Sequence, residues 1–166
     1  MQVDYLLTEN RKGKFVLSQV SQTVKLNNEI AENEWFKLNT ESTGYYIVSY
    51  VDNDWKLLID QLKLKPTTFS VKDRANIIFD AGQLSDKDLL SYETLFSLFD
   101  YLKNENDYLP WSVASSLLSS IQAKLISTGS FSILTFNSYT RDLLGTVYDQ
   151  KVDLTADLST MTYEQM

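Results

Sequence analysis

The side chains with potential for chemistry in this sequence are carboxylates in two short acidic stretches. Glu105 and Asp107, beside Tyr108, have the residue types of the carboxylate pair that hydrolyses glycosidic bonds. Loop carboxylates of this sort are more common as helix caps and solvated charge, and we favour that interpretation. Asp86 and Asp88 could surround a divalent cation, but they lack the ordered ligand spacing of a calcium loop. The sequence therefore predicts no catalytic residue and no metal ligand.

Histidine and cysteine are both absent from the 166 residues. Their absence excludes histidine-based general bases, Ser-His-Asp and Cys-His arrangements, disulfides and the usual zinc ligands other than Asp and Glu. The net charge of −7 argues against a general nucleic-acid role, because phosphate binding needs clustered Lys and Arg. The apolar runs are far shorter than the ~20 residues that cross a bilayer. We expect no cofactor, no nucleic acid and no membrane segment in this chain.

The charge is unevenly distributed along the chain. Residues 1–52 carry seven acids and five bases, whereas residues 53–166 carry fifteen acids and ten bases. The mild negative field of the second part could favour cationic peptides, although a solvated acidic surface is the simpler interpretation.

Asp73 and Arg74 stand at the start of a helical pattern. Ser70 precedes Asp73 by three residues, which predicts a capping box in which the serine hydroxyl accepts from a helix amide and Asp73 reaches back. Asp73 and Arg74 could form an exposed ion pair worth under ~1 kcal/mol, or a buried bridge that ties adjacent helices together. Because Asp73 already has a capping role, we expect a structural role for both, with ligand binding as the minority alternative.

Two runs before this helix have strand composition, residues 35–38 and 45–51. The polar residues between them end in Gly44, the residue type that a positive φ requires, so we predict an antiparallel hairpin. The period then changes to that of a helix capped by Asp52 or Asn53, with Asp54 near its N-terminal dipole. The apolar residues of this helix share one face: Trp55, Leu58, Ile59 and Leu62.

The aromatic residues of this stretch have two interpretations. We favour packing at a domain interface, in which the hydroxyls and indole NH groups find local partners. The alternative is an aromatic ledge that binds peptides. The residues concerned are Trp35, Tyr45, Tyr46, Tyr50 and Trp55.

The remainder of the chain divides at about residue 52. Before it, strand-like runs at 14–17 and 23–26, with turns at 11–14 and 27–28, bring the expected total to about four antiparallel strands of a partial β-sandwich. After it, the pattern predicts five helices with short connections and antiparallel neighbours, as in an α-solenoid. The fold class is therefore mixed and mainly α, with a sandwich part at 1–52 and a helical part at 53–166.

The later helices have recognisable starts. The second is expected to end near Gly82, with Phe79 widening its apolar face, and the third begins after Ser91. Pro110 stands where the first turn of a helix tolerates a missing amide. The last clear helix spans about residues 131–144, and residues 149–166 are weakly patterned.

Several motifs, in order, resemble the zinc aminopeptidases of the aminopeptidase N type, and most closely the region shared with the endoplasmic reticulum aminopeptidases. The resemblance covers roughly residues 15–148. It begins where a small β-sandwich domain meets a large C-terminal helical domain in that family. The matching segments are Trp35-x-Lys37-x-Asn39, Gly44-Tyr45-Tyr46-x-Val48-x-Tyr50, Trp55, Asp73-Arg74-Ala75, Leu90-Ser91-Tyr92 and Tyr101-Leu102-x-x-Glu105-x-x-Tyr108-x-Pro110-Trp111.

The resemblance implies a non-catalytic C-terminal piece of a longer zinc aminopeptidase. The family's HExxH helix, downstream Glu ligand and Gly-x-Met-Glu-Asn motif precede this region, and the sequence has none of them. Zinc would thus be bound elsewhere in the parent enzyme, and the partners would be its catalytic domain and peptide substrates. The helical domain of the family closes over the active site and shapes the peptide cavity.

An alternative is a stand-alone, catalytically inactive module that binds peptides or other proteins. The compartment stays open, because the parent could be cytosolic, luminal in the endoplasmic reticulum or an ectoenzyme.

Overall fold

The computed structural model describes residues 1–25, 30–31 and 33–151 of the chain. Three strands, β1 to β3, precede five helices, α1 to α5, within these ranges. The strands are Gln2–Leu7, Lys12–Val16 and Phe36–Leu38. The helices are Asp52–Leu64, Val71–Ser85, Tyr92–Phe99, Tyr108–Ser127 and Ser132–Lys151. The order of strands before helices is confirmed.

The strands form one antiparallel sheet with the order β2-β1-β3. The expected hairpin between residues 35–38 and 45–51 is wrong, because β3 pairs with β1 and residues 45–51 form no strand. The physical reason is burial. Leu7 on β1 is fully buried, whereas Tyr45 is fully exposed, so β1 offers β3 the more apolar partner.

Other expectations for the first part of the chain also need correction. Residues 11–14 are not a turn, since β2 begins at Lys12 and the chain reverses at Thr8–Asn10. Residues 23–25 are not a strand, and the predicted turn at 27–28 lies outside the described residues. The described sheet has three strands, not about four, and neither the sandwich nor the solenoid-like helical array is confirmed.

The turn after β3 does not place its left-handed conformation on Gly44. The positive φ angles there belong to Asn39, Glu41 and Ser42, at 57°, 58° and 53°. Asn39 tolerates this region because its short amide can bond locally, and it donates to the Gly44 carbonyl at 3.0 Å and accepts from the Gly44 amide at 2.8 Å. Gly44 instead permits a close approach, because a Cβ atom there would overlap the Tyr46 ring.

Helix α1 begins at Asp52, and its N-cap is Val51, whose side chain cannot accept a hydrogen bond. The predicted cap at Asp52 or Asn53 is therefore wrong. Asp52 and Asp54 lie in the first turn, where their negative charges interact favourably with the positive end of the helix dipole and stabilise the helix. The predicted apolar face is confirmed, because its four residues are at most 3% exposed: Trp55, Leu58, Ile59 and Leu62.

Helix α2 has the predicted capping box. The Ser70 hydroxyl accepts from the Asp73 amide at 3.1 Å and donates to the Asp73 carboxylate at 3.0 Å. The helix does not end near Gly82 as expected but continues to Ser85. Gly82 lets α4 approach closely, because a Cβ atom there would overlap Leu117. Phe79 is 45% exposed and does not widen the buried face as expected.

The later helices follow the predicted order. Ser91 caps α3, which continues as a 3-10 helix to Asn104, and Pro110 is the third residue of α4. Helix α5 extends beyond its expected end, to Lys151, and residues 152–166 lie outside the described part. None of the helices in the described ranges is long and apolar enough to cross a bilayer.

Candidate functional site

The aromatic residues at the joint between sheet and helices form a packed chain of edge-to-face contacts. The Tyr50 ring contacts those of Phe36 and Trp55, with centroids 5.5 and 5.1 Å apart. The Trp35 ring contacts Phe69 at 4.8 Å. Such pairs add about 0.5–1.5 kcal/mol each beyond the area they bury. This arrangement agrees with the packing interpretation for three of the five aromatic residues singled out from the sequence.

The polar atoms of these aromatic residues differ in their partners. The Trp35 indole donates to Gln61 Oε1 at 3.1 Å, and the Tyr50 hydroxyl accepts from the Leu38 amide at 3.0 Å. By contrast, the Trp55 indole nitrogen and the Tyr46 hydroxyl are buried with no hydrogen-bond partner among the described residues. The expectation that every such group finds a local partner is therefore wrong for these two.

Lys37 on β3 is the ionic centre of the joint. Its side chain is 1% exposed, and its Nζ donates to the carbonyls of Leu38 and Asn39 at 2.5 and 3.2 Å and to Asn76 Oδ1 at 2.8 Å. The Asp73 carboxylate lies 3.6 Å from the same nitrogen. Burial lowers the pKa of Lys37, and the neighbouring carboxylates oppose that shift. The sequence reasoning included Lys37 in a motif but assigned it no role.

Asp73 and Arg74, adjacent in the sequence, do not pair with each other. Asp73 faces the sheet, where its Oδ1 accepts from the Glu41 amide at 2.8 Å. Arg74 faces the loop before α4, where Nε donates to Glu105 at 2.7 Å and Nη2 donates to Asp107 at 2.5 Å. Each residue thus ties α2 to a different neighbour. The exposed pair is wrong, whereas the buried bridge agrees with the structure, with Lys37 and Glu105 as the charged partners.

Glu105 and Asp107 both form ion pairs with Arg74, and the Glu105 side chain is 1% exposed. Burial by itself raises the pKa of the Glu105 carboxyl, but hydrogen bonds from Arg74 and two backbone amides hold that pKa below its ordinary value. Tyr101 donates to the same carboxylate at 3.2 Å. A glycosidase needs one carboxyl that stays protonated, so this carboxylate is suited to structure. Solvated charge is the wrong description of Glu105.

The remaining motif residues also lie beside this loop. Pro110 is buried, and the Trp111 indole donates to the Glu105 carbonyl at 3.3 Å.

Asp86 pairs with Lys124 on α4. In the described ranges no three acidic side chains come close enough together to hold a metal ion.

An open groove lies beside α2, between residues 44–47 and the start of α4; we call it the α2 groove. Its volume is about 650 Å3. Its lining is mostly apolar. The polar side chains in the lining come from Ser42 and from four residues of α2: Lys72, Asn76, Asp80 and Gln83. The walls contain Tyr45, Ile47, Phe79, Leu109 and Val113.

Asp80 connects α2 to the segment before α1 that contains Val48. Its side chain is buried, and Oδ2 accepts from the Val48 amide at 3.1 Å while Oδ1 accepts from Asn76 at 3.3 Å. Burial raises the pKa of the Asp80 carboxyl to about 6, although the Val48 hydrogen bond and the charge of Lys37 act in the opposite direction. Sequence reasoning did not single out Asp80, because nothing in its helical position marks it as buried.

A family model described as the ERAP1-like C-terminal domain matches residues 35–162. The chain is also similar to glutamyl aminopeptidase of Bos taurus, with 35% identity over 63% of this chain and 11% of that protein. It is 34% identical to the thyrotropin-releasing hormone-degrading ectoenzyme of Rattus norvegicus, over 72% of this chain and 11% of the relative. It is 35% identical to aminopeptidase N of Bos taurus, over 53% and 9%. The chain therefore spans about a tenth of the length of these relatives.

Proposed function

Because the chain belongs to the ERAP1-like C-terminal domain family, a C-terminal region of metallopeptidases, we propose that it is a non-catalytic part of a zinc-dependent aminopeptidase. Such an enzyme removes N-terminal residues from peptides. The observation that carries the proposal is the family match over residues 35–162 in a chain without histidine, which cannot contain HExxH. The catalytic domain of the same parent chain is then its partner, and zinc is bound there.

We also propose a boundary near Asp52 between a sandwich-derived part and the helical part. Helix α1 begins at this residue. Leu6 and Trp35 from the sheet side pack into the same hydrophobic core as the helices. The boundary is thus a rigid joint, and the aromatic contacts of Tyr50 stabilise it.

The helical part helps to enclose the peptide cavity of the enzyme. The α2 groove supports this role, because exposed apolar side chains such as Ile47 and Phe79, both over 40% exposed, line an open concave surface beside polar groups. Contiguous exposed apolar surface of this kind marks an interaction site more often than it marks chance exposure.

A direct test of inactivity is to assay the purified chain with aminoacyl fluorogenic substrates, with and without added zinc. We expect no turnover above that of a heat-denatured sample. Turnover that a chelator abolishes and zinc restores would overturn the proposal. The coding sequence upstream of Met1 offers a second test, since an open reading frame with HExxH supports it, and a gene restricted to residues 1–166 favours the stand-alone module.

The peptide-enclosing role is tested in the aminopeptidase that carries this region. Phe79→Ala should raise KM for long peptides and leave KM for single-residue fluorogenic substrates unchanged, because only long peptides extend to the helical part. Leu64→Ala, at an 82% exposed leucine outside the groove, is the matched control. Equal effects of the two variants on long peptides would contradict the role.

A further inference from the structure

We propose that the α2 groove binds a lysine side chain of a peptide, with the ammonium group against the Asp80 carboxylate and the methylene stem along Ile47 and Phe79. The groove offers two features that suit lysine: the buried acid Asp80 in its lining, and apolar side chains beside that acid. That the lysine belongs to a peptide rests on the proposed aminopeptidase role.

The Asp80 carboxylate has unused acceptor capacity. An ionised carboxylate accepts about four hydrogen bonds, and the two bonds to Asp80 come from Val48 and Asn76. Each oxygen is thus left with a lone pair that an ammonium group could use. Because Asp80 lines the groove, that group would approach from the groove rather than from the sheet.

The charge of Asp80 is only partly compensated within the fold. Lys37 is the nearest cation behind it, but the Lys37 ammonium bonds to Asn76 and two backbone carbonyls and lies 3.6 Å from Asp73. The pKa of Asp80 remains raised by burial in spite of Lys37. A second ammonium would therefore improve the electrostatic environment of this carboxylate.

Tyr46 adds an unpartnered hydroxyl to the lining of the groove. Its ring lines the groove, and its buried hydroxyl has no hydrogen-bond partner in the described part of the chain. A rotation of this ring would break no hydrogen bond at the hydroxyl, and it would expose an oxygen that can accept from an ammonium. A buried hydroxyl without a partner calls for an explanation, and a bound ammonium would supply one.

The walls favour lysine over the other cationic side chain. Lysine has a four-carbon apolar stem and a compact ammonium that suits a single acceptor position. The guanidinium of arginine is broader and planar and prefers to meet two carboxylate oxygens side by side, whereas an ammonium needs only one of the lone pairs that Val48 and Asn76 leave on Asp80. The acidic surplus of residues 53–166, fifteen acids against ten bases, also attracts cations.

The other charged and titratable groups around Asp80 indicate how substitutions should change the affinity of the groove for lysine. Lys37 and Asp73 lie on the sheet side, and Tyr46 and Tyr50 interact with Asp80 electrostatically. Lys72 lies exposed on the groove rim and would repel a lysine ligand. Removing the Lys72 charge should therefore tighten binding.

The test uses the isotope-labelled chain and the peptide acetyl-Ala-Lys-Ala-amide at pH 7.5. We expect saturable NMR shifts at the Val48 amide and along residues 76–83. The same peptide with norleucine has the stem without the ammonium, and it should bind at least tenfold more weakly. The arginine peptide should also bind more weakly, and equal affinity for the norleucine or the arginine peptide would overturn the proposal.

Variants provide the second arm of the test. Asp80→Asn retains an acceptor for Val48 and should weaken lysine-peptide binding at least tenfold, whereas Asp60→Asn, at an exposed acid on α1, should not. Lys72→Gln should strengthen binding. Affinity should fall as the pH drops below about 6, where Asp80 becomes protonated. Wild-type affinity in Asp80→Asn would overturn the site.

If Asp80→Asn loses the amide dispersion of the folded chain, it cannot test binding. The norleucine comparison and Lys72→Gln then decide whether the groove binds lysine. Weaker lysine binding by Lys72→Gln than by the wild type would then overturn the proposal. Absence of lysine binding would overturn this site and leave the proposed aminopeptidase role standing, because the activity assay measures that role separately.

Discussion

The hydroxyl of Tyr50 accepts a hydrogen bond from the backbone amide of Leu38 at 3.0 Å, across the turn that separates β3 from α1. The ring of Tyr50 also contacts Trp55 on α1. One side chain thus connects the sheet to the first helix through both a polar and an apolar contact. Burial raises the pKa of its hydroxyl, which keeps the group protonated over the physiological range.

Tyr50→Phe keeps the ring and removes the acceptor. A partly buried amide left without a partner costs up to about 1–3 kcal/mol, so we expect the free energy of unfolding to fall within that range. Urea denaturation measures it. Tyr108→Phe, at an 83% exposed tyrosine, should change stability by less than about 0.5 kcal/mol. Equal stability of the two variants would contradict the role of the hydroxyl.

Arg74→Met should destabilise the chain strongly. The substitution leaves Glu105 buried without its guanidinium partner, and breaking such a buried pair lowers stability by about 3–5 kcal/mol. The matched control is Lys56→Met, which removes one partner of an exposed pair and should cost less than about 1 kcal/mol. Thermal unfolding of both variants checks the difference, and a similar Tm for the two would refute it.

Asp80 should give the chain a distinctive pH dependence. Its folded-state pKa, about 6, is above the ordinary value of 3.8, so the folded state holds this proton more tightly than the unfolded state does. Its contribution to stability is fully present below about pH 4 and is lost as the pH rises through 6. Each unit of pKa shift corresponds to about 1.4 kcal/mol.

The comparison of wild type with Asp80→Asn isolates this contribution. The stability of the variant relative to wild type should increase between pH 4 and pH 7, as measured by urea denaturation. Glu105 has the opposite sign, because its lowered pKa makes stability fall as the pH drops below its ordinary value of 4.5. A relative stability that is flat from pH 4 to 7 would show that Asp80 is not perturbed.

Gly82→Ala tests the close approach of α2 to α4. A methyl group there would overlap Leu117, and overpacking costs about 1–3 kcal/mol. The gain in helix propensity, about 1 kcal/mol, offsets only part of this. We expect net destabilisation, relieved in the double variant with Leu117→Ala. Gly145→Ala has open space around it and should be neutral or stabilising, so destabilisation of equal size at both sites would contradict the packing explanation.

Local signals in the sequence predict the local features of the fold. The period of α1 identifies the buried face that includes Trp55, and the Ser70 and Ser91 caps mark two helix starts correctly. The partner of β3 could not be predicted in this way. Strand pairing depends on which segment buries more apolar surface, and that segment, β1, is about thirty residues away in the sequence.

For the candidate sites, too, local features could be predicted from the sequence, whereas long-range contacts could not. Motif spacing identifies Asp73 and Arg74 as structural residues, but only the fold shows that they face opposite neighbours. Asp80 carries no local signal, because a carboxylate on a helix is usually solvated and its burial depends on how residues 44–48 cross α2. Long-range contacts of this kind determine whether the carboxylate in the α2 groove is buried, and burial raises its pKa.

The hydrogen bond between Tyr50 and Leu38 also bears on self-association, because Leu38 lies on β3 at an edge of the described sheet. The Leu38 amide points away from β1, at the free edge of the sheet, where an unpaired donor would offer a template for a strand of another molecule. The opposite edge, β2, carries Lys12 and Lys14, whose charges discourage the same pairing. Tyr50→Phe should therefore promote aggregation under conditions where the chain is still folded.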